Sequence, residues 1–284
     1  MIHLLGHNSL AGRFLHHKTA LAGLTICVTV FLAVVIGPLI LPYGPEDMDF
    51  MATLAPPSLL HPFGTDSFGR DVLVRVLAGG QVSLMISFVA ILLATVIGGG
   101  MGLTAAYHGG WTDVILMRVA DLLFAFPSFI LALLLMILFG FSTFNIILAI
   151  SLVYLPIFAR IARNSTLLVR DDPFVQAARL MGRRPTEIML TQILPNISAP
   201  LLVQASAGMA FAIILEAGLS FIGLGVQPPT PSLGGIMSDG REYFSRAPWV
   251  LSMSGLAISA ALLGLNLLGD GLRDLTDPRL RERS

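Results

Sequence analysis

The sequence predicts an all-α integral membrane protein with six transmembrane helices, and three observations support this fold class. Hydrophobic residues make up 55% of the 284 residues and charged residues only 12%, against roughly 25% charged residues in a soluble domain. The mean hydropathy is +0.82. The apolar residues are gathered into six runs near the bilayer-spanning length of about 20 residues, at 21–41, 82–106, 119–139, 144–159, 199–219 and 249–268.

The first apolar run is interpreted as an uncleaved membrane anchor. It is too long for the apolar region of a signal peptide, and no Ala-x-Ala type of cleavage site follows it. It contains Cys27, the only cysteine of the chain, which excludes an intramolecular disulfide and is expected to be a small buried apolar residue. The fourth run is short and contains Pro156, so its ends are left open.

The distribution of lysine and arginine predicts the orientation. With a cytoplasmic N-terminus, thirteen of the seventeen basic residues fall on the inner loops and termini. The four on the outer loops are Arg70, Arg75, Arg241 and Arg246. Because basic residues are enriched in cytoplasmic loops, both termini are expected to be cytoplasmic.

Two longer loops, 42–81 and 220–248, are then expected on the outer side. Both are rich in proline and glycine, which favour turns over continuous helix. Within the first loop, Asp71 and Arg75 stand four residues apart in the favourable order for an ion pair on a helix. This spacing predicts a short helix over 71–77 on the membrane surface.

The segment 171–195 between spans four and five is predicted to form a helix, a glycine turn and a second helix. An acidic pair followed by Pro173 is typical of a helix start. Gly182 suits a left-handed C-terminal cap. Pro185 is expected to open the second helix and Pro195 to end it.

The first helix of this hairpin offers a surface for another protein. Ala177 and Ala178 have almost no side chain, so a helix that carries them can enter a groove at close range, and Arg179, Arg183 and Arg184 add positive charge. An ordinary basic loop held near anionic lipid headgroups explains the same residues equally well. The residues alone leave both interpretations open.

The hairpin resembles the EAA loop of ABC-importer permeases, which reads Glu-Ala-Ala, three residues, Gly, nine residues and Ile-x-Leu-Pro. Ala177, Ala178, Gly182, Leu194 and Pro195 are in register with this pattern. Two positions differ. Gln176 replaces Glu, with a similar shape but no charge, and Gln192 replaces Ile. The resemblance implies a coupling helix seated in an ATP-binding subunit, formed by Gln176, Ala177, Ala178, Arg179, Gly182, Arg183, Leu194 and Pro195.

Four further segments resemble the dipeptide, oligopeptide and nickel subfamily. They are GTDSFGRD at 64–71, MRVAD at 117–121, LSFIGLG at 219–225 and NLLGDGLRD at 266–274. The chain is similar to the second, or C, permease subunits of dipeptide importers over about residues 20–280. That resemblance implies an N-terminal anchor helix and periplasmic loop over 1–81, followed by a five-helix type I ABC importer core over 82–284.

The same resemblance implies a function, a location and partners. The function is ATP-driven import of dipeptides or short peptides across a bacterial inner membrane, with glutathione, opines or nickel chelates as alternative substrates. The expected partners are a second homologous permease, two ATP-binding subunits and an extracytoplasmic substrate-binding protein. A secondary transporter is the alternative from another class, but no inverted repeat of the kind typical of many such transporters is found.

The sequence lacks the patterns of several other functions. It has no GxxxxGK[ST] phosphate loop, HExxH or GxSxG and only one lysine, Lys18. We therefore expect no enzyme activity, catalytic residue or cofactor, with ATP hydrolysed in separate subunits. The N-terminal histidines His3, His7, His16 and His17 have no cysteine and few carboxylates nearby, so no metal site is predicted. A net charge of zero gives no reason to expect a nucleic-acid partner.

Ionisable residues in the apolar runs are candidates for function. Glu216 is a carboxylate within a predicted span, which is costly and marks a functional site by default. It is expected either to face the pathway or the partner permease and help shape an outer gate, or to hold two helices together through a hydrogen bond to a neighbouring serine or backbone group. Arg118 and Asp121, and likewise Asp270 and Arg273, are spaced to pair on one helix. The glycine cluster at 98–102 predicts close helix packing.

Overall fold

The computed structural model describes residues 17–276, and within that range all regular structure is helical. The helices are α1 (Lys18–Ile40), α2 (Val72–His108), α3 (Gly110–Phe124), α4 (Ser128–Phe139), α5 (Thr143–Val169), α6 (Pro173–Leu180), α7 (Pro185–Ile188), α8 (Leu194–Phe221), α9 (Leu233–Glu242) and α10 (Pro248–Thr276). A short 3-10 turn lies at Phe50–Ala52 and a π-helical stretch at Met189–Ile193.

The helices confirm an all-α protein with five or six apolar spans. Among residues 17–276, five helices are long and apolar enough to cross a membrane. They are α1, α2, α5, α10 and the continuous helix Pro185–Phe221, which includes α7, the π-helical stretch and α8. A sixth span exists if α3 and α4 are counted together.

The continuous third span predicted at 119–139 is wrong. The helices α3 and α4 meet at an angle of 91°, and the break falls at residues 125–127, immediately before α4. Pro127 explains its position, because a proline disfavours helical dihedrals at the residue before it. Hydropathy alone does not register this break, since the side chains around it are apolar.

The separate surface helix predicted at 71–77 is also wrong, because those residues form the first turns of α2. At 37 residues and about 1.5 Å per residue, α2 is about 55 Å long and exceeds the bilayer core of about 30 Å. Asp71 does not pair with Arg75. It caps α2, with its Oδ1 accepting from the Val74 N–H at 2.9 Å, and its Oδ2 lies 2.8 Å from His61 Nδ1.

The centre of the bundle is the contact between α2 and α5. A Cβ on Gly98 would overlap the backbone oxygen of Leu155, and one on Gly102 would overlap that of Ala159. Only glycine allows the backbones to approach this closely. The glycine cluster therefore packs α2 tightly against α5, as the sequence predicted, and Phe158 is fully buried beside it.

The first helix joins the bundle chiefly through α10. A Cβ on Gly23 would overlap the backbone of Leu268, and a Cβ on Gly271 would overlap Ala20. Cys27 is only partly buried, against the expectation of a buried residue.

The helix α2 runs without a break through residue 81, the boundary proposed between the anchor segment and the permease core.

The two ends of the bundle differ in character. One end carries the loops 41–71 and 222–232 and helix α9, and we call it the loop end. The other carries the hairpin 171–195, and we call it the hairpin end. The chain crosses from the loop end to the hairpin end in α2 and returns in α8, so the two ends lie on opposite sides of the spans.

Candidate coupling site

The hairpin has the local structure that the sequence predicts: a helix, a left-handed glycine and a second helix. Pro173 occupies the first turn of α6, where its missing N–H leaves no hydrogen bond unmade. Gly182 follows with φ of +74°, a conformation that other residues rarely adopt. The Arg183 N–H then donates to the Ala178 oxygen at 3.2 Å, which closes the end of α6.

The two faces of α6 have different environments. Val175 is fully buried and Ala178 is 5% exposed, so this face packs on the bundle. Leu180 and Met181 are 88% and 75% exposed. Ala177 is exposed, so the two alanines do not form one bare outer face. Ala178 allows α6 to sit close to the bundle, and Ala177 leaves the outer surface free of bulk.

The polar residues of the hairpin make few contacts. The exposed Gln176 donates from Nε2 to the Asp171 oxygen at 2.8 Å. Arg183 pairs with Glu187 at 3.4 Å, and both side chains are more than 40% exposed, so this pair adds little stability. The Gln176 side chain thus holds the start of the hairpin instead of forming an ion pair.

The second half of the hairpin does not end at Pro195 as predicted. The helix continues through the proline as far as Phe221, and Pro195 lies in the first turn of α8. A proline within a helix lacks its own N–H and crowds the carbonyl one turn before it. The π-helical stretch accommodates this, with the Leu194 N–H bonding back five residues to the Met189 oxygen. Leu194 packs partly buried against the core, and Pro195 is exposed.

The hairpin is attached to the end of α2. Arg170 Nη1 donates to the Ala106 oxygen at 2.8 Å, and the Arg179 guanidinium lies 5.0 Å from the centre of the Tyr107 ring. A cation over an aromatic ring at this distance is attracted to it. Movement of α6 would therefore act on α2 through Arg179, while Arg170 joins the end of α5 to the same part of α2.

Two ion pairs fix α3 to α5 at the hairpin end. The Arg163 guanidinium donates two hydrogen bonds of 2.6 Å to the Asp113 carboxylate, a geometry that favours a strong pair. Arg160 donates to Asp121 at 2.7 Å and lies 4.3 Å from the Phe124 ring centre. The predicted pairing of Asp121 with Arg118 is therefore wrong, since the partner comes from another helix and is also held by an aromatic ring.

Glu216 is fully buried near the end of α8. Its Oε1 accepts from the Ser220 hydroxyl at 2.7 Å, and the Ser220 oxygen accepts from the Val226 N–H at 3.2 Å. Within residues 17–276, its Oε2 makes no hydrogen bond. Glu216 thus connects α8 to the loop that follows it, and its role in a gate stays a prediction.

Sequence reasoning missed a cluster of charges at the loop end. Within GTDSFGRD, the Asp66 carboxylate accepts from the Phe68 and Arg70 backbone N–H groups at 2.8 and 3.0 Å and from Arg70 Nε at 2.7 Å. The Trp249 indole donates to the Thr65 oxygen at 3.1 Å, which ties this loop to α10. The four-residue spacing from Asp66 to Arg70 was the signal that could have revealed it.

No group of three or more His, Cys, Asp or Glu side chains is arranged for a metal ion among residues 17–276. His17 caps α1, accepting from the Ala20 N–H at 3.4 Å. The other three histidines of the N-terminal group, His3, His7 and His16, lie outside the described residues.

Comparison with known proteins identifies the family. Residues 94–282 match the binding-protein-dependent transport system inner membrane component. Residues 10–57 match the N-terminal TM domain of oligopeptide transport permease C. The chain belongs to the family of binding-protein-dependent transport system inner membrane components.

Curated relatives of this permease match along nearly the whole chain. It is 38% identical over 265 residues to the dipeptide transport system permease protein DppC of Alkalihalophilus pseudofirmus, covering 93% of this chain and 87% of the relative. It is 37% identical over 276 residues to the di/tripeptide permease DppC of Pseudomonas aeruginosa, with coverages of 94% and 90%. The probable D,D-dipeptide permease DdpC of Escherichia coli is 39% identical over 254 residues, with coverages of 89% and 85%.

A solved structure has the same fold. The MetNI methionine ABC transporter, in inward-facing conformations, aligns with a TM-score of 0.57 at 20% identity and covers 72% of this chain and 97% of that one. At this identity the likeness concerns the fold alone. By its family, the permease is a multi-pass inner-membrane component of an ABC importer and not an enzyme, and it works with ATP-hydrolysing subunits and a substrate-binding protein.

Proposed function

We propose that this permease forms part of the pathway by which dipeptides or short peptides are imported at the expense of ATP. The observation that carries the proposal is its identity of 37–39% to permeases named for dipeptides or di- and tripeptides. Glutathione, opines or nickel chelates carried by the same machinery are the alternative substrates. The proposed division of the chain is an anchor helix and loop over 1–81 and the permease core over 82–284.

The proposed assembly has a second homologous permease, two ATP-binding subunits and an extracytoplasmic binding protein. Many apolar side chains of α3 and α4 face outward, including Trp111 at 80%, Leu122 at 67% and Leu138 at 66% exposure. A lipid bilayer and a second permease are the surroundings in which such surfaces are stable. By the distribution of arginine and lysine, the hairpin end and both termini are proposed to face the cytoplasm.

The hairpin is proposed to sit in a cleft of an ATP-binding subunit. Its inner face is fixed by Val175 and Ala178, whereas Leu180 and Met181 stand out from the bundle. An exposed apolar pair at the tip of a polar hairpin suits a protein groove better than water. The residues assigned to this contact and its support are Gln176, Ala177, Ala178, Arg179, Gly182, Arg183, Leu194 and Pro195.

The proposed coupling is mechanical. When the ATP-binding subunits close, they move α6, and the contact of Arg179 with Tyr107 carries that displacement to the end of α2, where Arg170 from the end of α5 also donates to the Ala106 oxygen. Because α2 and α5 touch through glycine at Gly98 and Gly102, the two helices move together. This displacement is proposed to switch the pathway between its two orientations.

Glu216 is proposed to shape the outer gate through its bond to Ser220. In Glu216→Gln the amide oxygen still accepts from Ser220, so the helix contact is kept while the carboxylate is lost. The gate proposal expects slower peptide uptake by an assembled complex. Uptake at the wild-type rate by the assembled Glu216→Gln complex would end the gate proposal and leave a structural hydrogen bond.

Reconstitution tests the proposed function. The complete complex is placed in liposomes, and uptake of a labelled dipeptide is measured with ATP and, separately, with an ion gradient. The proposal expects uptake that depends on ATP and on the binding protein. Uptake driven by the gradient without ATP would contradict it and favour a secondary transporter.

Two variants at one position test the coupling role in the same assay. Gly182→Asn retains a residue that tolerates the left-handed conformation, and we expect peptide-stimulated ATP hydrolysis to be kept. Gly182→Arg adds a long charged side chain at a position where a Cβ would meet no atom of residues 17–276 within 4 Å, so we expect its bulk to obstruct the partner cleft and not the bundle. Normal stimulation in Gly182→Arg would refute the seating of this hairpin.

A further inference from the structure

A cavity of about 550 Å³, lined by both apolar and charged residues, opens at the loop end, away from the coupling hairpin. It lies between the GTDSFGRD loop, the first turns of α2, the loop 223–232 and helix α9. Among its lining residues are Arg70, Arg75, Thr230, Ser238 and Asp239. A cavity of this size is within the range of small-molecule sites, about 300–1,000 Å³.

Both arginines are buried, and among residues 17–276 each has donor nitrogens that make no hydrogen bond. Arg70 is 8% exposed and Arg75 is 5% exposed. Arg70 uses Nε for Asp66 at 2.7 Å. Arg75 donates from Nη1 to the Pro45 oxygen at 3.2 Å, and its Nε lies 3.4 Å from Asp66. Within residues 17–276, both terminal nitrogens of Arg70 and Nη2 of Arg75 make no hydrogen bond.

The terminal nitrogens converge on one carboxylate without bonding to it. Asp239 Oδ2 lies 3.9 Å from Arg70 Nη2 and 3.7 Å from Arg75 Nη2, and N–H···O hydrogen bonds are usually 2.7–3.2 Å. The Asp239 side chain is 52% exposed. Partial burial raises the pKa of this carboxyl above its ordinary value, although Arg75 and Arg70 act to lower it. Asp239 is thus a loosely held counter-ion.

The unused arginine donors favour an anion. Asp66 is close to both arginines, Asp239 acts on both at longer range, and Glu46 acts on Arg75. If Asp239 turns out toward solvent, three terminal nitrogens of Arg70 and Arg75 that make no hydrogen bond within residues 17–276 remain in a partly desolvated cavity. Two guanidinium groups at such a place match the planar, two-oxygen geometry of a carboxylate.

We propose that this cavity binds a carboxylate group and that Asp239 takes the ligand's place when the cavity is free. The ligand class is a peptide with a free C-terminal carboxylate, a part of the proposal that rests on the proposed function. The carboxylate displaces Asp239 and bonds to the terminal nitrogens of Arg70 and Arg75. The cavity then holds the peptide by its C-terminus at the loop end of the pathway.

The experiment uses the assembled complex without the binding protein and measures apparent dissociation constants by thermal-shift titration. The probes are acetate, the dipeptide Ala-Ala and its C-terminal amide. In Asp239→Asn, we expect the dissociation constants of acetate and Ala-Ala to fall about tenfold, since the internal competitor is lost, while the amide is unchanged. Glu242→Gln makes the same charge change on α9 outside the cavity lining, where the residue acts on Asp239 only through its charge, and it is expected to change the dissociation constants much less than Asp239→Asn does.

Arginine variants should have the opposite effect and weaken the binding of acetate. Arg75→Gln is expected to weaken acetate binding about tenfold or more. Arg75→Lys keeps the charge without the two-pronged geometry, and we expect partial loss, which covers the case in which Arg75→Gln fails to fold. Equal acetate affinities in wild type, Asp239→Asn and Glu242→Gln would overturn the carboxylate site.

The probes also separate this inference from the proposed function. If Asp239→Asn strengthens the binding of acetate while Ala-Ala binds no better than its amide, the carboxylate site stands and the peptide assignment fails. If neither probe responds to Asp239→Asn while the reconstituted complex still imports dipeptides, the proposed function stands and the site is refuted.

Discussion

Replacing Gly102 with alanine should loosen the contact between α2 and α5. The added Cβ would overlap the Ala159 backbone oxygen and lie 2.8 Å from the Arg163 nitrogen. These are backbone atoms of a buried helix, so the two helices must separate. Overpacking of this kind costs about 1–3 kcal/mol. Alanine also gains about 1 kcal/mol over glycine in a helix interior, so the net loss is smaller than the steric cost.

Gly100 supplies the control for this change. It lies in the same part of α2, and a Cβ there would meet nothing within 4 Å, so Gly100→Ala gains the helical preference without the overlap. The difference between the two variants isolates a steric cost of about 1–3 kcal/mol. At roughly 2–4 °C per kcal/mol, thermal unfolding of the complex should begin at least 2 °C lower in Gly102→Ala than in Gly100→Ala. Equal or reversed unfolding temperatures would refute the close packing.

Two further predictions concern contacts that join distant parts of the chain. Trp249→Phe removes the hydrogen bond to the Thr65 oxygen and should lower the free energy of unfolding by about 0.5–1.5 kcal/mol. The control Trp111→Phe, at a side chain 80% exposed, should change the free energy of unfolding little. Equal effects of the two changes would contradict the contact between the loop and α10. A double-mutant cycle of Arg163→Ala and Asp113→Ala should give a coupling of about 0.5–3 kcal/mol, and additive single effects would show that the pair does not hold α3.

The hairpin was predictable because its signals are local. Pro173 and Gly182 define their own backbone conformations, and both occur where the sequence placed them. The error concerned Pro195, which sequence rules treat as a helix end. The structure keeps the helix by widening it over Met189–Ile193, and only the geometry of neighbouring turns reveals that possibility.

The extent of α2 was not predictable from hydropathy. Arg75 and the glycines after it end the apolar run in the sequence, so the span was expected to begin at residue 82. The helix begins ten residues earlier because Asp71 caps it and because Asp66 and Asp239 balance the buried Arg75. One of these partners is more than 160 residues away in the sequence, so no local pattern indicates it.

Ion pairs between helices were mispredicted for the same reason. Spacing on one helix suggested Arg118 as the partner of Asp121, and the structure provides Arg160 from α5. The sequence shows which residues are charged, but their pairing depends on which helices are neighbours. The loop-end cavity of Arg70, Arg75 and Asp239 went unnoticed because segments far apart in the sequence form it.

The central claim, that the hairpin seats in an ATP-binding subunit, is tested most directly by photo-crosslinking in native membranes. A photoreactive amino acid is placed at Leu180, which is 88% exposed at the hairpin tip, and as a control at Leu59, which is fully exposed at the loop end. The account predicts that mass spectrometry finds an ATP-binding subunit joined to residue 180 and none joined to residue 59. An ATP-binding subunit joined to residue 59, or none joined to residue 180 in a complex that imports peptide, would contradict it.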